Sequence, residues 1–422
     1  MILAVASAGW VFDVYEGQLF TIFKTPMLTE LTRGDTGSID PQANIGFAAF
    51  LLGGAAGGLF FGVLGDRFGR LRVMSATILV YSVFSAVTAF VQSVWQVHLL
   101  RFLVALGTGG EWAIAAALVA ETFPSRSRAS ASGLFHASSV VGVALASLTG
   151  MIFVVPDSWR WGFLLGLAPA LLVLWIRLSL RESERPVRTN DQGSDSVDAL
   201  SGNSRPEFAA ASSKTGGLAE LFGPGPWRFR ALLGLGLATV GLGTYWGIFA
   251  WGGELAASVL PDGSLPETRQ SASSLAYLLM NFTGGLLGLL VFAPMASWRG
   301  RRFAFAVYHI GAAIFAPLTF LGARTYPQAL WLLPVMAFFV LGMHAGYAIY
   351  FPELFPTRLR ATGSSVCFNL GRVLGAVILL IRGTLGSILG LRWAVVSISS
   401  LFWVGLILII FAPETRGREL PE

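Results

Sequence analysis

Gly62-Val-Leu-Gly-Asp66-Arg67-Phe-Gly-Arg70-Leu-Arg72 decides the reading of this chain. An apolar run ends at Gly62, one acid and three arginines follow within seven residues, and a second apolar run starts at Val73. In a bilayer each spanning segment has to satisfy its own backbone polar groups, so two apolar spans joined by so short a basic loop form a helical hairpin. The arginines put its turn on the cytoplasmic side. Gly62, Gly65 and Gly69 supply the tight turn and let the two helices approach closely. Asp66 is placed to pair with a neighbouring arginine or to sit at a helix terminus.

The second half of the chain echoes the first. Glu121-Thr-Phe-Pro124-Ser-Arg126-Ser-Arg128 returns as Glu353-Leu-Phe-Pro356-Thr-Arg358-Leu-Arg360. Leu180-Arg181-Glu182-Ser183 returns as Ala412-Pro413-Glu414-Thr415 at the same offset. The opening loop returns in decayed form around Ser297-Trp-Arg299-Gly300-Arg301-Arg302, with Ser297 where the first copy has Asp66. A period this long excludes a solenoid and points to a duplicated bundle. The expected domains are residues 1–185, a linker over 186–226, and residues 227–422. The linker is rich in Pro, Gly, Ser, Asn and Asp from Arg188 to Gly217 and is expected to be partly disordered. Leu218–Phe222 could form an amphipathic turn.

Only 12% of the 422 residues are charged and 54% are hydrophobic, against about 25% charged in a soluble domain. Twelve apolar spans long enough to cross a bilayer can be marked. They lie near 3–24, 43–64, 73–91, 96–119, 129–153, 159–180, 229–251, 272–295, 303–322, 328–350, 361–381 and 388–411. The fold class is therefore an all-α membrane protein with twelve transmembrane helices in two pseudo-symmetric six-helix bundles. The net charge of +6 invites a nucleic-acid reading, but its distribution excludes one. With the first hairpin cytoplasmic, 20 of the 29 basic residues fall in loops or at span ends on that side. Seven, including Lys24, Arg382 and Arg392, fall in loops or at span ends on the opposite side, and Arg101 and Arg372 lie inside spans. This positive-inside bias places both termini in the cytoplasm, in a plasma or inner membrane. The lone Cys367 allows no intramolecular disulfide. The first span carries Asp13 and Glu16 and has no basic n-region, so it is expected to be retained rather than cleaved. Its closeness to Met1 leaves open a longer native N-terminus.

Ionisable and polar residues inside the spans are the candidate site, because charges in hydrocarbon are costly unless they face protein or water. Asp13 and Glu16 share a helix face with Gly9 and Gly17. They are read as a protonation site or polar substrate contact, or else as structural partners of a base. Arg101, Thr108 and Glu111 share a face of the fourth span. Arg101 lies close enough to the span's end to snorkel to the surface, whereas Glu111 lies deeper. Tyr245 and Trp246 are candidate cavity residues, while Trp251 fits an interfacial aromatic belt. Asn281 and His344 are further polar candidates. The four histidines form no metal spacing, and neither metal nor cofactor is expected. Asn369 and Arg372 share a face of the eleventh span. Arg372 sits near the midplane and either pairs with Asp13, Glu16 or Glu111 or binds an anionic substrate.

The first loop resembles the G-x-L-x-D-R-x-G-R signature of the major facilitator superfamily. Glu353–Gly363 and the tail from Pro413 resemble the P-E-x-x-P-T-x-x-R-A-T-G and P-E-T-[KR]-G-x-x-L motifs of its sugar porters. The Arg101…Gly107-Thr-Gly-Gly-Glu111-Trp pattern resembles the fourth helix of its organic-anion and sugar branches. The resemblance covers the whole chain and implies alternating access about a central site lined by Asp13, Glu16, Glu111, Trp246, His344, Asn369 and Arg372. It implies a proton-coupling role for Arg101. It also implies a cytoplasmic gate of salt bridges among Asp66, Arg67, Arg70, Glu121, Arg126, Glu182, Glu353, Arg358, Arg360 and Glu414.

The expected function is a proton-coupled symporter of a small organic anion, a monocarboxylate, aromatic acid or sugar acid, acting as a monomer. Arg372 would hold the carboxylate and Asp13 or Glu111 the coupling proton. A sugar or polyol porter is the alternative. The tail and loop motifs favour it, and the central arginine counts against it. A non-transporting sensor would need an added signalling domain, for which twelve spans leave no room. An enzyme is not expected, since no nucleophile–base pair stands out.

Overall fold

A computed structural model describes residues 2–68, 70–122, 134–153, 158–171 and 218–417. The described residues are almost wholly helical and contain no strand. In chain order the helices are α1 (Ile2–Leu31), α2 (Ile39–Phe68), α3 (Arg70–Thr88), α4 (Val94–Thr122), α5 (Ser139–Ile152) and α6 (Trp159–Leu164). After the linker come α7 (Leu218–Phe222), α8 (Pro226–Gly247), α9 (Gly252–Ser258), α10 (Pro266–Met280) and a π-helical turn (Asn281–Gly285). The chain then continues as α11 (Leu286–Arg299), α12 (Arg301–Gly322), α13 (Tyr326–Gly342), α14 (His344–Leu354), α15 (Thr357–Ser399) and α16 (Leu401–Phe411). Each of the twelve expected spans holds a described helix over at least part of its length. Among the described residues, seven segments are long and apolar enough to cross a membrane. The longest, Thr362–Phe411, breaks at Gly390, whose φ of 75° and ψ of 169° leave the helical region.

The sequence echo is also a contact echo. Gly53 and Gly57 of α2 press on the carbonyl oxygens of Phe102 and Leu106 in α4. Gly284 and Gly288 press in the same way on the carbonyls of Pro334 and Phe338 in α13. Glycines and partners both repeat at the offset of the sequence echo, to within one position. A Cβ at any of the four would overlap the facing backbone, so only glycine allows this approach. Arg160 donates to the carbonyls of Ala89 and Val91, just beyond the end of α3, at 3.4 and 3.3 Å. Arg392, its counterpart at the same offset, does so for Phe320 and Ala323 around the end of α12, at 2.9 Å each. Between the halves, α2 packs on α15 along one seam and α5 on α10 along another.

The end of the bundle that holds the α1–α2 connection departs from expectation. Lys24 and Arg382 are not loop residues. Both lie within helices and are buried, at 1% and 0% exposure. Lys24 Nζ pairs with Glu254 at 3.0 Å, and Arg382 Nη1 pairs with Asp40 at 3.3 Å. Both pairs join the first half to the second. Trp251 lies between the two cations, 4.7 Å from Lys24 and 3.7 Å from the Arg382 guanidinium carbon. It is therefore a buried cation-binding ring, not a residue of an interfacial belt. The helices extend through these positions because each cation has an acid partner, so no loop is needed to bring it to water.

At the opposite end, Arg301 forms a two-pronged bond to Glu353, at 3.0 and 2.7 Å, and Thr415 donates to the same carboxylate at 2.6 Å. Glu414 accepts four backbone N–H groups, those of Arg301, Arg302, Thr415 and Arg416, at 2.9–3.1 Å. The side chains of Asp66, Arg67, Arg70, Glu121, Arg358 and Arg360, and the whole of Arg126 and Glu182, lie outside the described residues. Leu218–Phe222 forms a helical turn with Leu221 buried and Glu220 exposed.

The ion pairs at the two ends can be tested separately. Glu254→Gln leaves the Lys24 ammonium buried without its acid, which costs about 3 kcal/mol. Its unfolding temperature in detergent should fall by several degrees, and Lys24→Met in the same chain should recover most of the loss. Recovery of none would separate the two residues energetically. Partial burial raises the Glu414 carboxyl, but its backbone donors outweigh this and hold it below the usual carboxylate range. A depressed acid contributes stability above its unfolded value, about pH 4, and loses it as the pH falls through its folded value. Glu414→Gln should therefore lower thermal stability at pH 7, with the difference from the parent closing in acid. A difference constant with pH would refute the assignment.

Candidate functional site

Midway along the bundle the two halves enclose a cavity of about 1050 Å³ of empty space, including its open mouth. From the first half it is lined by Trp10, Asp13 and Gln18 of α1, Phe50 and Gly54 of α2, Thr108 of α4, and His136. From the second half it is lined by Tyr245 and Trp246 of α8, Asn281 of the π turn, His344 at the head of α14, and Phe368 and Arg372 of α15. Of the expected lining, Asp13, Tyr245, Trp246, Asn281, His344 and Arg372 are brought together.

Arg372 and Asp13 carry the charges. The Arg372 guanidinium lies against Gly54, where a Cβ would fall 3.1 Å from Nη1, and 4.9 Å from the Phe368 ring. Its positive charge acts on Asp13 across the cavity, yet no ion pair within 4.0 Å involves Arg372 among the described residues. Thr108 of α4 reaches the Asp13 carboxyl. Glycine at position 54 gives the guanidinium its space, so a small residue in α2 helps place a charge on α15.

Three expected lining residues lie elsewhere. Glu16 is buried beside Ser85 of α3, and a Cβ at Gly166 would fall 2.6 Å from its Oε1. Glu111 is fully buried between α1, α3 and α4, with its Oε1 filling the place of a side chain at Gly9. Gly9 is one helical turn from Asp13, so the two acids stack along the α1–α4 contact, and only Asp13 reaches the cavity. Asn369 donates to Ser365 Oγ at 3.0 Å and lies against Gly58 in the α2–α15 seam. All three share a helix face with a lining residue, but three positions turn a helix by about 300° and leave them about 60° off the cavity.

Arg101 does not snorkel. It is 2% exposed, sits 4.9 and 4.2 Å from the rings of Phe20 and Phe50, and donates to the carbonyls of Glu16 and Gly17 at 3.4 and 3.2 Å. It thus cradles the backbone of α1 beside Asp13.

Sequence reasoning missed Gln18, Trp10 and His136. Gln18 donates to the Tyr245 hydroxyl at 3.2 Å and accepts from the Tyr277 hydroxyl at 2.7 Å, joining α1 to α8 and α10. An amide in a membrane span, two positions beyond Glu16, was the available signal. Trp10 stacks on His136 at 5.6 Å. That contact joins positions far apart in the chain and has no local signature. Trp246 packs on Phe47 at 5.2 Å, and Phe47 on Trp251 at 6.2 Å, so an aromatic column joins the cavity to the buried ion pairs. No group of three metal-ligating side chains occurs among the described residues.

The Major Facilitator Superfamily sequence pattern matches residues 19–379. A protein of Cupriavidus pinatubonensis named "Probable 4-methylmuconolactone transporter" is 30% identical, over 97% of this chain and 89% of its own. A sialic acid transporter of Escherichia coli is 28% identical, over 95% and 91%. A niacin transporter of Acinetobacter baylyi is 28% identical, over 99% and 95%. Among solved structures, a bacterial homologue of the human lysosomal transporter Spinster superposes with a TM-score of 0.71 at 17% identity, covering 97% of this chain and 96% of that one. With these matches, the hairpin loop and the two-halved helical fold, the chain belongs to the Major Facilitator Superfamily and is a multi-pass membrane transporter rather than an enzyme.

Proposed function

We propose that the protein is a proton-coupled symporter of a small organic anion, with Arg372 as the carboxylate site and Asp13 as the proton carrier. The observation that carries this is a guanidinium with no ion pair among the described residues, facing a carboxyl across one buried cavity. A lone cation at that depth attracts an anion strongly, and a planar fork matches a carboxylate. When substrate neutralises Arg372, Asp13 loses its counter-charge and holds a proton more readily. Binding of anion and proton thereby favour each other. Sialic acid and niacin, carried by two of the relatives, are both acids. A neutral sugar would leave the Arg372 charge unanswered, which weighs against the sugar-porter alternative.

Transport follows from the two halves rocking about the cavity. Residues 1–185 and 227–422 form these halves on either side of the linker 186–226. Both termini lie in the cytoplasm of an inner membrane, and the working unit is one chain. The cation–acid pairs around Trp251 then close the outer side, and the predicted salt bridges, together with the Glu353–Arg301 pair and Glu414 on its backbone donors, serve the inner side. Glu111 and Glu16 stand behind Asp13 as buried acids, and Arg101 fixes the backbone between them.

Uptake into proteoliposomes tests this, with labelled lactate, benzoate, a sugar acid and glucose under an inward proton gradient. At least one acid should accumulate. Arg372→Ala should cut its uptake about ten- to hundredfold, the loss of one charge-assisted contact. Asp13→Asn should abolish accumulation while keeping substrate exchange. Uptake of glucose alone would favour the sugar porter instead, and acid uptake indifferent to Arg372→Ala would remove Arg372 as the carboxylate site.

A further inference from the structure

We infer that the cavity selects an acid bearing a hydrogen-bond donor at the end away from its carboxylate, and that His344 and Asn281 read that donor. The inference rests on the reading of Arg372 as the carboxylate site and adds the second pole. Arg372 belongs to the seam of α15 with α2. Asn281 belongs to the π turn after α10, which packs on α13 and α5 near the other seam between the halves. The two residues therefore enter one cavity from different seams between the halves, and Tyr245 and Trp246 line it with them.

At Asn281 and His344 the hydrogen-bond partners fix where the protons lie. Asn281 is 1% exposed, and its Nδ2 donates to the Tyr277 carbonyl at 2.8 Å. A carbonyl can only accept, so the amide cannot be turned round, and Oδ1 remains a buried acceptor with no partner among the described residues. His344 Nδ1 lies 3.2 Å from the Val340 carbonyl, so that nitrogen carries the hydrogen. No acid pairs with the ring among the described residues, and an uncompensated buried charge is costly, so the ring is neutral. Nε2 is then a bare lone pair, also buried and also without a partner there. The ring is held edge-on against Tyr245 at 5.3 Å and Tyr347 at 5.4 Å.

Two orphaned acceptors in one cavity need a donor. Both atoms are closed off from solvent, so a donor carried by the ligand answers acceptors that water leaves unpaired. A site with buried acceptors rejects an analogue that lacks the donor far more strongly than an apolar pocket rejects a missing methylene. The π turn contributes as well. Its extra residue per turn is a local departure from the α-helix, at the position of the orphaned amide.

Matched acids with and without the donor provide the test. Binding to purified protein in detergent would be measured for benzoate, 3- and 4-hydroxybenzoate and their methoxy counterparts, and for a sugar acid with its O-methylated form. The readout is the affinity ratio of hydroxyl to methoxy ligand. It should be tenfold or more in the parent and fall below about threefold in His344→Phe and Asn281→Leu, whatever the absolute affinities. A variant that only loosens the cavity weakens both ligands alike and keeps the ratio, and this overturns the inference. So does a parent that binds acids with no hydroxyl preference, which leaves the anion reading intact. Failure of every acid to bind, with the protein folded by thermal unfolding, overturns the anion reading and this one with it.

Discussion

A charge placed in hydrocarbon needs a counter-charge, a polar cradle or water, and the cations of this chain show all three solutions. Lys24 and Arg382 are answered by acids from the opposite half. Arg101 is answered by two backbone carbonyls and two aromatic faces. Arg372 is answered by a cavity. The first two arrangements are complete within the protein and hold it together. The third is incomplete within the protein, and that incompleteness gives the site its chemistry.

The hairpin loop and the echo between the two halves carried the fold, because duplicated sequence produces duplicated contacts. Gly53 and Gly57 repeat as Gly284 and Gly288 against equivalent carbonyls, and Arg160 repeats as Arg392 at the ends of equivalent helices. The depth of an ionisable residue was also legible, since counting along a span gives depth directly. Its azimuth was not. Asp13 and Glu16 share a helix face in sequence, yet one reaches the cavity and the other packs beside Ser85. Lys24 and Arg382 were misread for a related reason. A loop count sees charges, but it cannot see that their partners, Glu254 and Asp40, lie in the other half of the chain. Trp251 followed the same error, since a tryptophan near a span's end reads as interfacial until the cations on either side of it are known.

The two halves diverged where charge is handled. The second copy of the signature loop lost its acid at Ser297. In that half Arg301 pairs instead with Glu353, and the following helix start is held by Glu414 on the N–H groups of Arg301 and Arg302. An anion at a helix N-terminus meets unsatisfied donors and a favourable dipole, so Glu414 caps α12 from a distant part of the sequence. The residues that face the cavity diverged too. The first half contributes the acid, Asp13, beside Gln18 and His136, and the second the arginine, Arg372, beside Asn281 and His344. Symmetry of the backbone thus supports an asymmetric site, which a solute with two unlike ends requires.

The cavity and the buried ion pairs are mechanically one object. Trp246 forms part of the cavity wall, Phe47 of α2 rests on it, and Trp251 rests on Phe47 between Lys24 and Arg382. Packed rings cannot be compressed or thinned continuously. Any movement of α8 against α2 that reshapes the cavity therefore shifts Trp251 against its two cations. Separation of those cations from Glu254 and Asp40 would in turn leave charges buried without partners unless water entered with the opening. The α1–α2 end is packed and paired in this structure, and an opening that separated the pairs would have to admit water. An aromatic column and two ion pairs thus tie the cavity wall to the joint between the halves, so that neither can shift alone.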